Sequence, residues 1–150
     1  MINTITGKSR WQFTTETANT RSPVIGKNGR VYAGVDSVLL DERKEETKPK
    51  LLKINEKTGR ITSSFNIDAT TPPFPIIADD DMLFLGGEDL NLLSGKTVKN
   101  QFPFKVSHSP TIGKFVTIYF GADDNQLYSI KGPSISGPAD SPWPMFGQNG

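Results

Sequence analysis

The chain contains no cysteine, so it can form no disulfide and offers no thiolate nucleophile or thiolate metal ligand. Cysteine usage therefore assigns no redox compartment. Histidine occurs once, as His108, and no Ser/His/Asp order or His/Glu cluster accompanies it, which removes the usual basis for a triad or a zinc site. No apolar run approaches the roughly 20 residues that a membrane helix needs. The stretch Met1 to Arg10 is polar and lacks the apolar core of an export signal. Excess charge is missing too: 17 lysines and arginines face 16 acids, for a net charge of +1. Such a balance gives no electrostatic reason to expect nucleic acid or an anionic membrane surface as partner. What the chain does have is 14 glycines, 11 prolines and abundant Thr, Val and Ile, a composition that favours strands and turns. Its 150 residues suffice for one domain with a real core.

Internal repetition is the strongest signal. Pro23-Val-Ile-Gly-Lys-Asn-Gly-Arg-Val-Tyr-Ala-Gly34 aligns without gaps on Pro75-Ile-Ile-Ala-Asp-Asp-Asp-Met-Leu-Phe-Leu-Gly86. Both align on Pro110-Thr-Ile-Gly-Lys-Phe-Val-Thr-Ile-Tyr-Phe-Gly121. Each copy has isoleucine two residues after the proline (Ile25, Ile77, Ile112), an aromatic nine after it (Tyr32, Phe84, Tyr119) and glycine eleven after it. Gly7, Gly59 and Gly95 precede their prolines by 16, 16 and 15 residues. Leu51…Ile54, Leu90…Leu93 and Leu127…Ile130 follow as Leu-x-x-aliphatic.

Each copy reads as a small antiparallel meander. Asn28-Gly29 is a two-residue hairpin signal, since both residues tolerate positive φ, and Asp79-Asp80-Asp81 serves the equivalent turn. The strands Val31-Tyr32-Ala33, Leu83-Phe84-Leu85 and Ile118-Tyr119-Phe120 are apolar without alternation, which predicts cover on both faces. Sheets stacked face to face around an axis supply that environment. The prolines open strands, where a missing N–H costs least, and the glycine after each apolar triplet suits a tight exit or a bulge.

The arrangement Gly7-Lys-Ser-Arg-Trp11-Gln-Phe13, Ser22-Pro23-Val-Ile-Gly and Val31-Tyr32-Ala-Gly34 resembles the pyrroloquinoline-quinone-type propeller repeat. So does Ser109-Pro110-Thr-Ile-Gly…Ile118-Tyr119-Phe-Gly121 with Asn125-Gln-Leu127-Tyr128-Ser-Ile130. The likeness runs from about residue 5 to 146 and implies an all-β fold, a β-propeller segment of about three four-stranded antiparallel blades in an incomplete ring. The repeats fall at about 7–58, 59–94 and 95–131, with a Pro/Gly-rich tail over 133–150 whose Ser141-Pro-Trp143-Pro-Met-Phe146 resembles segments at the ends of such regions. The family holds quinoprotein alcohol dehydrogenases and many cofactor-free propellers of the bacterial envelope or secreted space, so the resemblance implies a periplasmic, envelope or secreted setting. Its blade-wedging tryptophan appears only as Trp11; Ser63 stands at the matching place in the second copy, and Gln101-Phe102-Pro103-Phe104 occupies that region of the third.

Propellers have about 4–8 blades, so three cannot close a ring. The expectation is either a longer polypeptide or further copies of the chain. The expected anchors of the repeat are Trp11, Pro23, Tyr32, Gly34, Pro75, Phe84, Gly86, Pro110, Tyr119 and Gly121. Neither catalytic nor cofactor-binding residues can be assigned, and no cofactor is expected. His108 reads as a loop residue; Asp79–Asp81 and Asp123-Asp124-Asn125 lack the spacing of a calcium loop and read as turns. Gly86-Gly87 and Gly26…Gly29 are not phosphate loops, because no helix pattern with Lys-Ser/Thr follows. The insertion 36–50, with Asp41-Glu-Arg-Lys-Glu-Glu46 and the helix-barring Pro49, reads as a solvated loop or a partner-contacting one. Trp143, between two prolines, is placed to dock on an adjoining surface. The functional expectation is a non-catalytic scaffold or protein-interaction module; the competing classes are a piece of a quinoprotein oxidoreductase and a polysaccharide-binding propeller.

Overall fold

The computed structural model describes residues 6–12, 22–35, 39–40, 45–46, 49–67, 74–78, 82–86, 90–94, 97–102, 105–106, 108–113, 117–131, 137–140 and 144–145. These residues form thirteen strands, one 3₁₀ turn and no α-helix, so the fold class is all-β. Sheet 1 runs β1 (Val24–Gly26), β2 (Arg30–Val35), β5 (Lys50–Asn55), β6 (Ile61–Asn66). Sheet 2 runs β7 (Phe74–Ile77), β8 (Leu83–Gly86), β9 (Leu90–Ser94), β10 (Thr97–Phe102). Sheet 3 has β11 (Thr111–Ile112), β12 (Thr117–Gly121) and β13 (Leu127–Lys131). Every pairing is antiparallel between sequence neighbours, apart from the insertion between β2 and β5. That insertion is not structureless: β3 (Leu39–Leu40) and β4 (Glu45–Glu46) pair as a short ribbon.

The three sheets share one register. The residue after each proline pairs with the anchor aromatic, as Val24 with Tyr32, Ile76 with Phe84 and Thr111 with Tyr119. Ile25–Val31, Ile77–Leu83 and Ile112–Ile118 follow one step on. Across the next strand, the aliphatic of each Leu-x-x-aliphatic pairs with that same position, as Val31 with Ile54, Leu83 with Leu93 and Ile118 with Ile130. A one-residue slip in any copy would turn its apolar set to the wrong face, so a common register gives the three sheets a common facing.

The first hairpin differs from the two-residue turn expected at Asn28-Gly29. Gly26 pairs with Arg30, leaving a three-residue loop, Lys27–Gly29, wound as a 3₁₀ turn with only its last residue at positive φ (Gly29, +66°). Such a loop needs one left-handed residue, and glycine adopts that conformation without steric cost. The equivalent loops have the same length: Ala78 N–H donates to Met82 O at 2.8 Å and Gly113 N–H to Thr117 O at 2.8 Å. Asp79–Asp81 lie inside the second of these and outside the described residues.

Alternation along the strands gives each sheet two faces. The rear face carries the residues two, eight and ten after the proline; the forward face carries those one and nine after it. Forward residues of sheet 1 (Val24, Tyr32, Leu51) pack with rear residues of sheet 2 (Ile77, Leu83, Leu85, Leu93). Forward residues of sheet 2 (Ile76, Phe84, Leu92) pack with rear residues of sheet 3 (Ile112, Ile118, Phe120). Both interfaces thus join a forward face to a rear face, and the sheets stack in sequence.

Burial follows from the stacking. All four residues of β8 are buried, and Phe84 is fully enclosed, as expected for a strand covered twice. Val31 and Tyr32 are likewise buried. In β12 the expectation fails: Ile118 and Phe120 are buried but Tyr119 between them is 41% exposed. Among the described residues the core packs on the rear face of sheet 3, and the same sequence pattern leaves Tyr119 to solvent on the other side. The anchor glycines also depart from the expectation. Gly34, Gly86 and Gly121 all lie within their strands and none has positive φ. Gly86 is needed for close approach, since a Cβ there would come within 3.0 Å of Pro110 Cδ and 3.1 Å of His108 O on the segment entering sheet 3. A Cβ at Gly121 would meet nothing within 4 Å.

The segment after sheet 3 returns to the free side of β7. Ala139 N–H donates to Ile77 O at 3.0 Å, Ile77 N–H donates to Pro144 O at 2.9 Å, and Ala78 bridges Pro138. The edge of sheet 2 is therefore occupied by a proline-rich strap, one of the ways in which proteins blunt an edge strand. Ala139 joins the first interface and Met145 the second. Trp143 lies outside the described residues.

Phe84→Ala opens the best-enclosed position and is expected to cost about 3–5 kcal/mol. Ile61→Ala, on β6 with a side chain 45% exposed, is expected to cost less than about 1 kcal/mol. Urea unfolding of the two variants checks this; equal losses would contradict the two-faced burial of sheet 2.

Candidate interaction surface

The anchors divide by their place in the stack. Tyr32, Gly34, Pro75, Phe84, Gly86 and Pro110 are buried, whereas Pro23, Tyr119 and Gly121 are exposed. None of them lies in a cluster of reactive groups. Among the described residues no three His, Asp or Glu side chains come together in a way that could hold a metal ion. His108 is exposed in the bend that enters sheet 3. What the structure offers instead is the two outer faces of the three sheets: the rear face of sheet 1, whose Val31, Val35, Leu52 and Ile54 are already buried, and the more exposed forward face of sheet 3.

The rear end is built from Val31, Val35, Leu52 and Ile54, with Ile25 and Ala33 at its margins. Trp11 packs against this cluster. Its Nε1–H donates to Glu56 O at 2.6 Å, and its ring lies over Gly59, where a Cβ would come within 2.7 Å of Cδ2. Gly59 is thus doubly constrained, because it also has φ +70°. The turn beneath the ring is organised by Asn55, whose Oδ1 accepts from the backbone N–H of Lys57 and of Thr58, both at 3.0 Å. Gly59 N–H closes the turn on Asn55 O at 2.9 Å. An Asn side chain bonding the backbone two residues on is the ordinary Asx solution for such a turn.

The sequence of this turn recurs around Gly7, further than the repeat of the glycines alone shows. Asn55-Glu-Lys-Thr58-Gly59-Arg60 parallels Asn3-Thr-Ile-Thr6-Gly7-Lys8. Gly7 also has positive φ (+66°), and Lys8 N–H donates to Thr6 Oγ1 at 3.4 Å just as Arg60 N–H donates to Thr58 Oγ1 at 3.3 Å. The signal was the Asn-x-x-Thr-Gly-basic pattern, which reads as a turn before a fourth strand.

The forward end is more polar. Thr111, Tyr119, Gly121, Leu127 and Ser129 share it, with Leu127 79% exposed. The Asp123–Asn125 segment forms the β12–β13 turn, as expected from its composition. Asn125 takes positive φ (64°), and Asp124 Oδ1 accepts from Gln126 N–H at 3.1 Å. Asp124 Oδ2 accepts from the Tyr128 hydroxyl at 2.6 Å, and the Tyr128 ring stacks on Phe120 with centroids 5.5 Å apart. The hydrogen bond to the carboxylate, reinforced by desolvation and the negative charge, raises the Tyr128 pKa above the ordinary 10.0. Among the described residues no helix is long and apolar enough to cross a membrane.

No protein-family model matches this chain, and no curated protein matches it.

Two measurements test these contacts. Trp11→Phe keeps a ring over Gly59 but loses the indole donor, for an expected cost of about 1 kcal/mol; Trp11→Ala is expected to cost about 2 kcal/mol or more from lost burial. Thermal melts equal to that of the parent would show that Trp11 does not hold the rear end. On the rear face of sheet 3, where Tyr128 pairs with Phe120, the raised Tyr128 pKa means that the folded state holds the phenolic proton more tightly than the unfolded state does. Its contribution is full below pH 10 and is lost as the pH rises through the folded value. Ultraviolet titration should show Tyr128 ionising above the ordinary 10.0, and Asp124→Ala should return it toward the ordinary range. An unchanged titration in that variant would contradict the assignment.

Proposed function

We propose that this chain is a non-catalytic β-propeller scaffold that presents loops to another protein, with its ring completed by further sheets. The observation that carries the reading is the repeated forward-to-rear packing of antiparallel meanders in one register. A sheet that buries both faces against equivalent neighbours is a unit of a closed stack, and radial closure is how such units avoid bare ends. The resemblance to quinoprotein-type repeats supports the same architecture and an envelope or secreted setting. What repeats is packing: apolar positions, prolines and turn glycines, with no converging set of acids, bases or nucleophiles among the described residues. The β3–β4 ribbon, inserted in one meander only, is the natural contact element, since long insertions in repeat proteins lie on the binding side.

Small-angle X-ray scattering should give the profile of an annular particle; an elongated stack with open ends would overturn the reading. Adding pyrroloquinoline quinone with calcium should give neither tight binding nor dye-linked alcohol oxidation. Either activity would move the chain to the oxidoreductase class.

A further inference from the structure

Three loops meet at one end of sheet 1. Glu56 N–H donates to Gly29 O at 3.0 Å, which ties the β5–β6 turn to the β1–β2 loop. The indole donor of Trp11 reaches Glu56 O at 2.6 Å and brings the segment Lys8 to Gln12 to the same place. Basic side chains collect there: Lys27 and Arg30 bracket the first loop, Lys57 and Arg60 stand in the second, and Lys8 and Arg10 lie on the third segment. Lys8, Arg10, Lys57 and Arg60 are exposed, and Lys27 and Arg30 are half-buried. Glu56 is the one acid among the described residues of these segments. Its carboxylate turns toward the first loop, where a Cβ on Gly29 would come within 2.7 Å of Oε2.

The chain as a whole carries only +1, so this end is a local excess. The fold does not require it. Asn55, Thr58 and the positive φ of Gly59 make the turn, and none of its backbone bonds needs a cation at 57 or 60. Like charges gathered on neighbouring loops repel one another and subtract from stability. Arg10, Lys27 and Arg30 have interactions within the chain, whereas no side-chain hydrogen bond or ion pair holds Lys8, Lys57 or Arg60 among the described residues. A counter-charge from outside relieves that repulsion.

We propose that this end of sheet 1 docks an acidic segment of a partner protein, with Lys8, Lys57 and Arg60 meeting its carboxylates. The inference rests on the reading of the chain as a protein-interaction module and adds a second contact surface to it. The insertion that bears the β3–β4 ribbon leaves from the other end of the same strands, where Val35 pairs with Lys50. A limited acidic segment fits better than a nucleic acid or an anionic bilayer. Those extended polyanions draw on the charge of a whole surface, which is nearly balanced here. Three exposed cations on short loops suit a few carboxylates at contact distance, and the guanidinium of Arg60 can take one in bidentate fashion.

Fluorescence anisotropy with a labelled hexaglutamate peptide tests this, with hexaglutamine, phosphatidylserine vesicles and a DNA duplex as parallel probes. The expected result is saturable binding of hexaglutamate alone, weakened severalfold as salt rises from about 50 to about 300 mM and screens the pairs. Lys57→Gln with Arg60→Gln should weaken it about tenfold, and Lys8→Gln, on a separate segment, about threefold. Thermal midpoints should not move, because all three positions are exposed. Lys105→Gln, equally exposed but beside the β12–β13 turn, should leave the binding as it is. No binding, or equal weakening by the Lys105 variant, overturns the proposal. Tighter binding of the vesicles or the duplex also overturns it and moves the surface to lipid or nucleic acid. Asp79–Asp81, in the corresponding loop of sheet 2, lie outside the described residues. Binding that appears only when they are replaced by asparagine would show that the chain supplies its own acids, and overturns the proposal as well. None of these outcomes touches the ring, which the scattering decides.

Discussion

The described residues of β7, β8 and β9 are buried on both faces of sheet 2, and much of the molecule is arranged around that constraint. Its rear residues Ile77, Leu83, Leu85 and Leu93 and its forward residues Ile76, Phe84 and Leu92 enter two separate cores. Burying a side chain of this size is worth about 1.5–3 kcal/mol, so neither core is dispensable in a chain of 150 residues. Two-sided burial requires sheets above and below with matching periodicity, and the common register provides it. It also requires that the connections pass close to the sheet. Gly86 lets the segment at Val106 to Pro110 cross within contact of β8, and the strap at Pro138 to Met145 closes the edge at β7.

The same packing rule makes the ends of the stack unlike each other. The rear end of sheet 1 is strongly apolar and already has a tryptophan across it; the forward end of sheet 3 carries threonine, serine and one half-exposed tyrosine. A stack whose interfaces all join forward to rear has complementary ends by construction. Heterologous contacts of this kind generate rings when the rotation closes and fibres when it does not.

Much of this was legible in the sequence because the repeat is a repeat of packing. The proline-to-glycine segments marked β1–β2, β7–β8 and β11–β12, and Leu-x-x-aliphatic marked the strand that follows, since a register is fixed by the side chains that must be buried. Other features depended on context that a local pattern does not carry. Ile118-Tyr119-Phe120 has the composition of a doubly covered strand, yet only a neighbouring sheet decides whether Tyr119 is covered. Asn28-Gly29 carried the two-residue signal, but the neighbouring Lys27 joined the turn and only Gly29 took positive φ. Acidic and lysine-rich residues disguised the β3–β4 ribbon within 36–50 as a plain loop. Asn55-x-x-Thr58-Gly59 was overlooked because attention to the glycine alone discards the residues that make the turn.

The turn at Gly59 links the two levels of the structure. It ends β5, reverses the chain into β6, and at the same time forms the floor on which Trp11 rests. Any side chain at Gly59 would strain the backbone at φ +70° and strike the indole. A residue whose local role is to close a hairpin therefore also sets the position of the segment that precedes sheet 1. The position of Trp11 is thus coupled to a turn through one aromatic ring and one indole hydrogen bond, which is a narrower dependence than the breadth of the two cores would imply.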